Sequence, residues 1–403
     1  MALTFKEPHT IRATYRIVTP MFIGDAEQKA SSISPASVKG ALRFWWRALR
    51  WGQLRAHIQS DTAALQRLHR EEAELFGTAV DTSDEKKKSG AAKFTLRATF
   101  SGKPASLPNP APGIQYLLCQ GLYKHGHGYL RPALKAGEKL EIVLIASPTT
   151  TKEQQQQLVQ TLMALGVLGG LGSRARKGFG SLAIESLQDG NSTIPVPTDV
   201  VTLKRLITTW GVTSGLPPFT AFSNKTRLDI SLQGTDPLVV LDKAGQEQQF
   251  YRSYGRADHT GVHKVAGQFA EQNFKIDHDL VFDAITQKTA NKVPQRTVFG
   301  LPHNYFFSSS QPAKKADFAP SMQDRSRRAS PLMIHVHQFP NQRVALIQTL
   351  FPATFLPEGD TLEFKMGNRP TDKVNVRFNE SQMIDWQVIH TYMDRFSEKV
   401  RIL

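Results

Sequence analysis

At 403 residues the chain is longer than a single hydrophobic core ordinarily serves, so about two domains are expected. Fifty Lys plus Arg against thirty-five Asp plus Glu leave a formal charge of +15, which favours a polyanionic partner, nucleic acid ahead of a membrane surface. A single cysteine, Cys119, excludes an internal disulfide or a multi-cysteine zinc site, and no apolar run approaches the roughly 20 residues that span a bilayer. The opening MALTFKEPHT lacks the apolar core of a signal peptide, so a soluble, cytoplasmic protein is expected. Cys119, in QYLLCQGLY, reads as a small buried apolar residue.

Ile11, Ala13, Tyr15 and Ile17 alternate with polar residues, the period of a half-buried strand. Ser34-Pro35 then opens a helix to about His57, with Val38, Leu42, Trp45 and Leu49 on its apolar face. Asp61 to Phe76 reads as a helical insertion. Alternation resumes over Phe94 to Phe100 and Leu140 to Ala146. Thr150 with Glu153 forms a capping box for a helix that ends where the glycines of GGLGSRARKGFGS begin, and Leu182 and Ile184 start a further strand. This order of strand, helix, strand, strand, helix, strand is the ferredoxin-like one, an α+β fold. Breaks fall at DEKKKSG (residues 84–90), at residues 101–113 and at residues 189–199. The last divides a first domain, 1–190, from a linker, 191–225, and a second domain, 226–403. There, Leu228 to Leu232, Leu332 to His337 and Val344 to Phe351 read as strands and Asn379 to Phe396 as a helix, a degenerate second copy of the same unit.

On the first long helix Lys39, Arg43, Trp46, Arg47 and Arg50 share one face. No acidic residue lies between Glu27 and Asp61, so pairing along the helix does not explain the stripe, and an exposed Trp46 among arginines suits base stacking beside phosphate contacts. The alternative is a solvated charged surface. In the glycine loop, Gly170, Gly172 and Gly178 permit close backbone approach, Ser173 adds a hydroxyl, and Arg174, Arg176 and Lys177 add charge, a pattern suited to a phosphate backbone or to a plain flexible turn. Neither the P-loop nor the dinucleotide fingerprint fits it. Arg325, Arg327 and Arg328 make a third basic cluster, equally readable as a charge-rich loop. His335 with His337 and His125 with His127 have spacings that permit ligation, but without supporting acidic or cysteine partners; no metal and no cofactor are expected. Asp25 and Glu27 suit capping more than acid–base work.

TPMFIGD, then Lys39, Gly40, Leu42, Arg43, Trp45, Trp46 and Arg47 of SPASVKGALRFWWRALRWG, then Gly170, Gly172, Arg174, Arg176, Gly178 and Gly180 of the loop resemble the RAMP superfamily of CRISPR proteins. Within it, they resemble the family of first subunits of type III-B Cmr effector complexes. FGLPH (Phe299–His303) and RRASPL (Arg327–Leu332) carry the likeness into the second half. The resemblance implies two ferredoxin-like (RRM-like) RAMP domains with helical and loop insertions. It also implies a non-catalytic, RNA-binding role in antiviral defence. The partners would be guide (CRISPR) RNA near its 3′ end, target single-stranded RNA and other Cmr subunits, with no membrane. A RAMP-type endoribonuclease that processes guide precursors, with His57 or His9 as acid or base, is the alternative. A nucleotide-binding switch is the weakest reading, because the nucleotide motifs fail.

Overall fold

The computed structural model describes residues 7–24, 27, 29–30, 32–78, 90–119, 121–254, 257–258, 261–262, 264–265, 268–307, 314–322, 326–367 and 369–403. Arg325, Asp25 and residues 84–89 lie outside these. The first unit comprises β1 (Thr10–Ile17), α1 (Pro35–Arg55), α2 (Asp61–Phe76), β2 (Phe94–Phe100), α3 (Pro112–Leu118), β3 (Lys139–Ala146), α4 (Lys152–Leu168), β4 (Leu182–Asp189) and β5 (Ser192–Ile194). Its antiparallel sheet runs β2-β3-β1-β4-β5. β1 is central, pairing with β3 on one side and β4 on the other, and its alternation puts one side chain in two into the core. Ile11, Ala13, Tyr15 and Ile17 are fully buried, while Arg12 and Arg16 reach Glu141 and Glu185 at 2.7 and 2.8 Å on the other face.

Two local expectations shift. The capping box of α4 is made by Thr151 and Gln154, not by Thr150 and Glu153, because the Thr150 hydroxyl donates to the Lys93 carbonyl at 2.6 Å. The stretch 191–225 is not a bare linker. It contributes β5 to the first sheet and a helix, α5 (Val200–Thr208), whose Leu203 and Ile207 are buried in the first core.

The second unit repeats the connectivity with β6 (Arg227–Gly234), α6 (Pro237–Arg252), β9 (Leu332–Gln338), β10 (Val344–Leu350), α8 (Gln387–Asp394) and β13 (Lys399–Arg401); its sheet order is β9-β10-β6-β13. Inserted in it are α7 (Lys275–Gln287) and a separate antiparallel sheet of β7 (His303–Phe307), β8 (Lys314–Pro320), β11 (Thr361–Lys365) and β12 (Lys373–Arg377). The helix expected from Asn379 to Phe396 is interrupted. A single turn, Glu380–Met383, gives way to extended backbone at Ile384, and the Asp385 carboxylate accepts from the Gln387 amide at 2.8 Å, starting α8 afresh.

The two units share a core. Leu228, Ile230, Met333, Ala345, Ile347 and Phe351 of the second unit cluster with Trp45, Leu49 and the α4 leucines of the first. Within that shared interior lie His335 and His337, on the Met333 face of β9. Their facing ring nitrogens are 3.4 Å apart, and burial holds His335 well below the usual histidine range and His337 down to about 4. They are neutral packing residues. Among the described residues no group of three or more His, Cys, Asp or Glu side chains could hold a metal, and no helix is long and apolar enough to cross a membrane.

Candidate nucleic-acid interface

The stripe on α1 has a different setting from the one its sequence suggests. α2 packs across it and brings in carboxylates from outside the helix. Glu72 takes Arg43 at 2.8 Å and Arg47 at 3.2 Å, while Glu71 takes Arg50 at 2.7 Å, with Glu153 of α4 a further partner of Arg50 at 3.2 Å. The same covering overturns the exposed Trp46. Its ring is 1% exposed, meets Phe76 edge-on at 5.8 Å and donates Nε1–H to Gln157 Oε1 at 2.9 Å. A base cannot stack on it. Lys39, half-buried at the start of α1, carries an ammonium pushed down first by burial and then by Arg43.

The glycine loop also turns inward. It is stitched between the two sheets: the Ile334 amide donates to the Arg176 carbonyl at 3.0 Å and the Val336 amide to Ser181 Oγ at 3.1 Å, both from the edge strand β9. Its own amides are largely used up. Ser173 N–H donates to Phe22 O, Leu171 to Gly180 O, Lys177 to Arg174 O and Gly180 to Pro20 O. Gly178, at φ +84°, shows why glycine is needed: a Cβ there would lie 2.6 Å from the Leu241 side chain. Gly170 and Gly172 likewise face protein backbone, at 2.6 Å from Gly180 O and Phe22 O for a built Cβ. The expectation that these glycines lay backbone amides against a polyanion is therefore corrected. They serve close packing, within the first unit at Gly170 and Gly172 and against the second unit at Gly178, and the loop's contribution to a ligand comes from side chains.

Those side chains enter a cleft of about 720 Å³ between the loop, the end of α3, α6 and two second-half segments. Arg174, Lys177, Arg252, His303, Arg327 and Arg328 line it, and no carboxylate does so among the described residues. Here the tertiary fold joins FGLPH to RRASPL. Leu301 and Arg328 exchange backbone hydrogen bonds at 2.8 and 3.1 Å, and Gly300, at φ +106°, is required because a Cβ would come within 2.7 Å of Arg328 O. The approach to this wall is fixed by Asp277. Its buried carboxylate accepts from the Gln295 and Arg296 amides at 2.6 and 2.8 Å, while the Arg296 guanidinium lies 5.7 and 5.0 Å from the Phe274 and Tyr305 rings.

The cleft gathers cations close to one another, with no carboxylate among its described lining residues. Lys177 Nζ donates to Gln248 Oε1 at 3.1 Å, and burial, with Arg252 and Arg174 beside it, brings its ammonium down to about 7. Burial, then Arg252, Arg296 and Lys177, hold His303 well below the usual range, so it is neutral. Arg328 is pushed down by burial; its Nη2 donates to Thr354 O at 3.1 Å. Arg252 lies 5.0 Å over the Phe299 ring, with a buried Nε that has no hydrogen-bond partner among the described residues. Cations crowded at low dielectric repel one another, and a bound anion removes that cost.

Of the sequence candidates, the structure unites Arg174, Lys177, Arg327 and Arg328 in the cleft and leaves Lys39, Arg43, Trp46, Arg47 and Arg50 outside its lining. Arg176 does not line it. It spans to Ser330 O at 3.0 Å and lies 4.9 Å over the Phe44 ring. Reading the sequence missed Arg252 and His303. His303 had a signal, its place in FGLPH, whereas Arg252 merely ends a helix. Cys119, expected to be buried, is exposed on the rim of the cleft, where its φ of +55° closes α3.

The model of the RAMP superfamily matches residues 14–183. CRISPR system Cmr subunit Cmr1-2 of Pyrococcus furiosus is 26% identical over 189 residues, covering 43% of this chain and 93% of that protein. The crystal structure of Cmr1 from Pyrococcus furiosus, in its apo form, aligns over 98% of both chains with a TM-score of 0.53 at 18% identity, so the likeness in fold extends through the second unit. Residues 14–183, which carry the α1 stripe and the glycine loop, match the model of the RAMP superfamily, within a chain that shares the fold of Cmr1 from Pyrococcus furiosus.

Proposed function

We propose that this protein is a non-catalytic, RNA-binding subunit of a type III-B Cmr ribonucleoprotein, built of two ferredoxin-like RAMP domains. It contacts guide RNA or target single-stranded RNA near the guide 3′ end. The repeated sheet order supports the two-domain reading, and the likeness to a Cmr subunit supports the assembly. The observation that carries RNA binding is the cleft: a concave site between the units, lined by five Lys and Arg side chains and no carboxylate among the described residues. The phosphates of a single strand supply the missing negative charge, and the Phe299 ring beside Arg252 supplies apolar surface.

Fluorescence anisotropy with a labelled single-stranded RNA, titrated across salt, tests this. Arg252→Ala with Arg327→Ala should weaken binding and flatten the log–log salt dependence by roughly 1.4, at about 0.7 per phosphate contact. Unchanged affinity and slope would remove the cleft from the account.

One observation favours a second reading, RNA cleavage in the same cleft. The Lys177 ammonium, brought down to about 7, exchanges its proton near neutrality beside the His303 ring, which is held neutral. The histidines first suggested for that chemistry are placed elsewhere: His9 is held by Asp189 at 2.6 Å, and neither His9 nor His57 lines the cleft. Incubating the purified chain with repeat-containing RNA decides the matter. Site-specific cleavage lost in His303→Ala would establish the enzyme; intact RNA upholds the binding role.

A further inference from the structure

Beside the cleft lies a second concavity of about 370 Å³, between α1, α2 and the segment that holds Phe219 and Thr220. Its walls are apolar: Phe44 of α1, Leu65 and Leu68 of α2, and Phe219. Its rim is cationic, formed by Arg47, Arg176 and Arg328. Arg328 lines both concavities, and Arg176 bonds to the carbonyl of Ser330, itself a cleft residue, so the two spaces adjoin across one basic wall. The Arg176 guanidinium over the Phe44 ring makes a flat, charged surface, and Phe219 is held edge-on against Trp51 at 5.2 Å. Glu72, the only carboxylate lining the slot among the described residues, is paired with Arg43 and Arg47.

We propose that this slot receives one unstacked base of the RNA strand whose phosphates occupy the adjoining cleft. The inference rests on the reading of the cleft as an RNA site and adds where a base goes. The chemistry selects this occupant over an apolar peptide side chain. Aromatic and guanidinium planes stack on any base, and the cations around the opening suit the phosphates on either side of it, whereas an apolar peptide segment brings no such charge. Stacking is sequence-tolerant, so the slot contributes affinity and register along the strand without reading base identity.

The test is a set of single-stranded RNAs, each with one abasic position, bound to the full chain. In the wild type one position, or two neighbours, should lose roughly 5- to 150-fold in affinity when the base is removed, the value of one stacked base. Leu65→Glu, at an exposed site on α2, and Thr220→Glu, on the opposite wall, each place a carboxylate in the slot without touching the cleft. In both variants the abasic penalty at that position should vanish while the penalties elsewhere persist. Unchanged thermal midpoints confirm that either variant is folded, and a single folded variant is enough for the comparison. Abasic profiles identical in wild type and variants would overturn the slot. If RNA binding still depends on Arg252 and Arg327 in that case, the cleft stands without it; if binding is indifferent to Arg252 and Arg327, the cleft fails and the slot with it.

Discussion

The α1 stripe and the cleft between the units hold similar numbers of cations in different electrostatic settings. On α1 each arginine meets a carboxylate supplied by α2 or α4, which fastens the helices together, and of these arginines Arg47 also borders the slot beside the cleft. In the cleft, Arg174, Lys177, Arg252, Arg327 and Arg328 converge from the loop, α6 and the segment before β9 with no carboxylate lining the space among the described residues. A run of positive residues therefore says little about ligand binding until its neighbours in space are known. The stripe is dense in sequence and paired in space; the cleft is dispersed in sequence and gathered in space, with no carboxylate lining it among the described residues.

The sharpest way to break this contrast is to remove charge from each region and compare. Arg252→Ala with Arg327→Ala should cost at least about 100-fold in single-stranded RNA affinity, since each charge-assisted contact is worth about 1.5–3 kcal/mol, with little change in the denaturation midpoint. The second measure uses pH. Lys177, held down at about 7, must take up a proton when an anion binds, so affinity should fall as pH rises above about 7, approaching tenfold per unit. Anisotropy titrations from pH 6.5 to 8.5 read this slope, and Lys177→Arg, always charged, should flatten it. For folding the sign is reversed. The unfolded chain holds this proton more tightly, so the lysine costs stability below about 7, and that cost is relieved as pH rises towards the ordinary lysine value.

Arg43→Ala with Arg50→Ala should do the converse of the cleft pair. RNA affinity should stay within about threefold, while urea unfolding loses about 1–3 kcal/mol as Glu72 and Glu71 lose partners in partly exposed pairs. Adding Glu72→Gln should restore part of that loss; a large drop in RNA affinity instead would return the stripe to the binding surface. The smallest effect belongs to Trp46→Phe, which removes the hydrogen bond to Gln157. About 1 kcal/mol of stability should go, with RNA affinity unchanged; weakened RNA binding at full stability would contradict the buried setting of this ring.

Much of the fold was legible because period and punctuation are local. The β1 alternation, the Ser34-Pro35 helix start and the glycines after α4 each act within a few residues, and both strand-rich halves carry them. The misplacements came where a distant partner competes. Thr150 is diverted from capping by Lys93, Asp385 restarts the last helix, and residues 191–225 fold onto the first core through Leu203 and Ile207. The candidate site was half legible. Arg174, Lys177, Arg327 and Arg328 stood in conspicuous clusters, whereas Arg252 acquires meaning only from Phe299 and Lys177 beside it.

By itself the sequence determined the net positive charge and the strand and helix order of the first unit, because composition and periodicity are properties of the chain. Only the tertiary structure decided which cations are balanced and which are left for a ligand. Coulomb energy and desolvation depend on distance and burial, and the residues that set them here, Glu72 against Arg43 and Arg252 beside Lys177, lie 29 positions apart in the first case and in different units in the second.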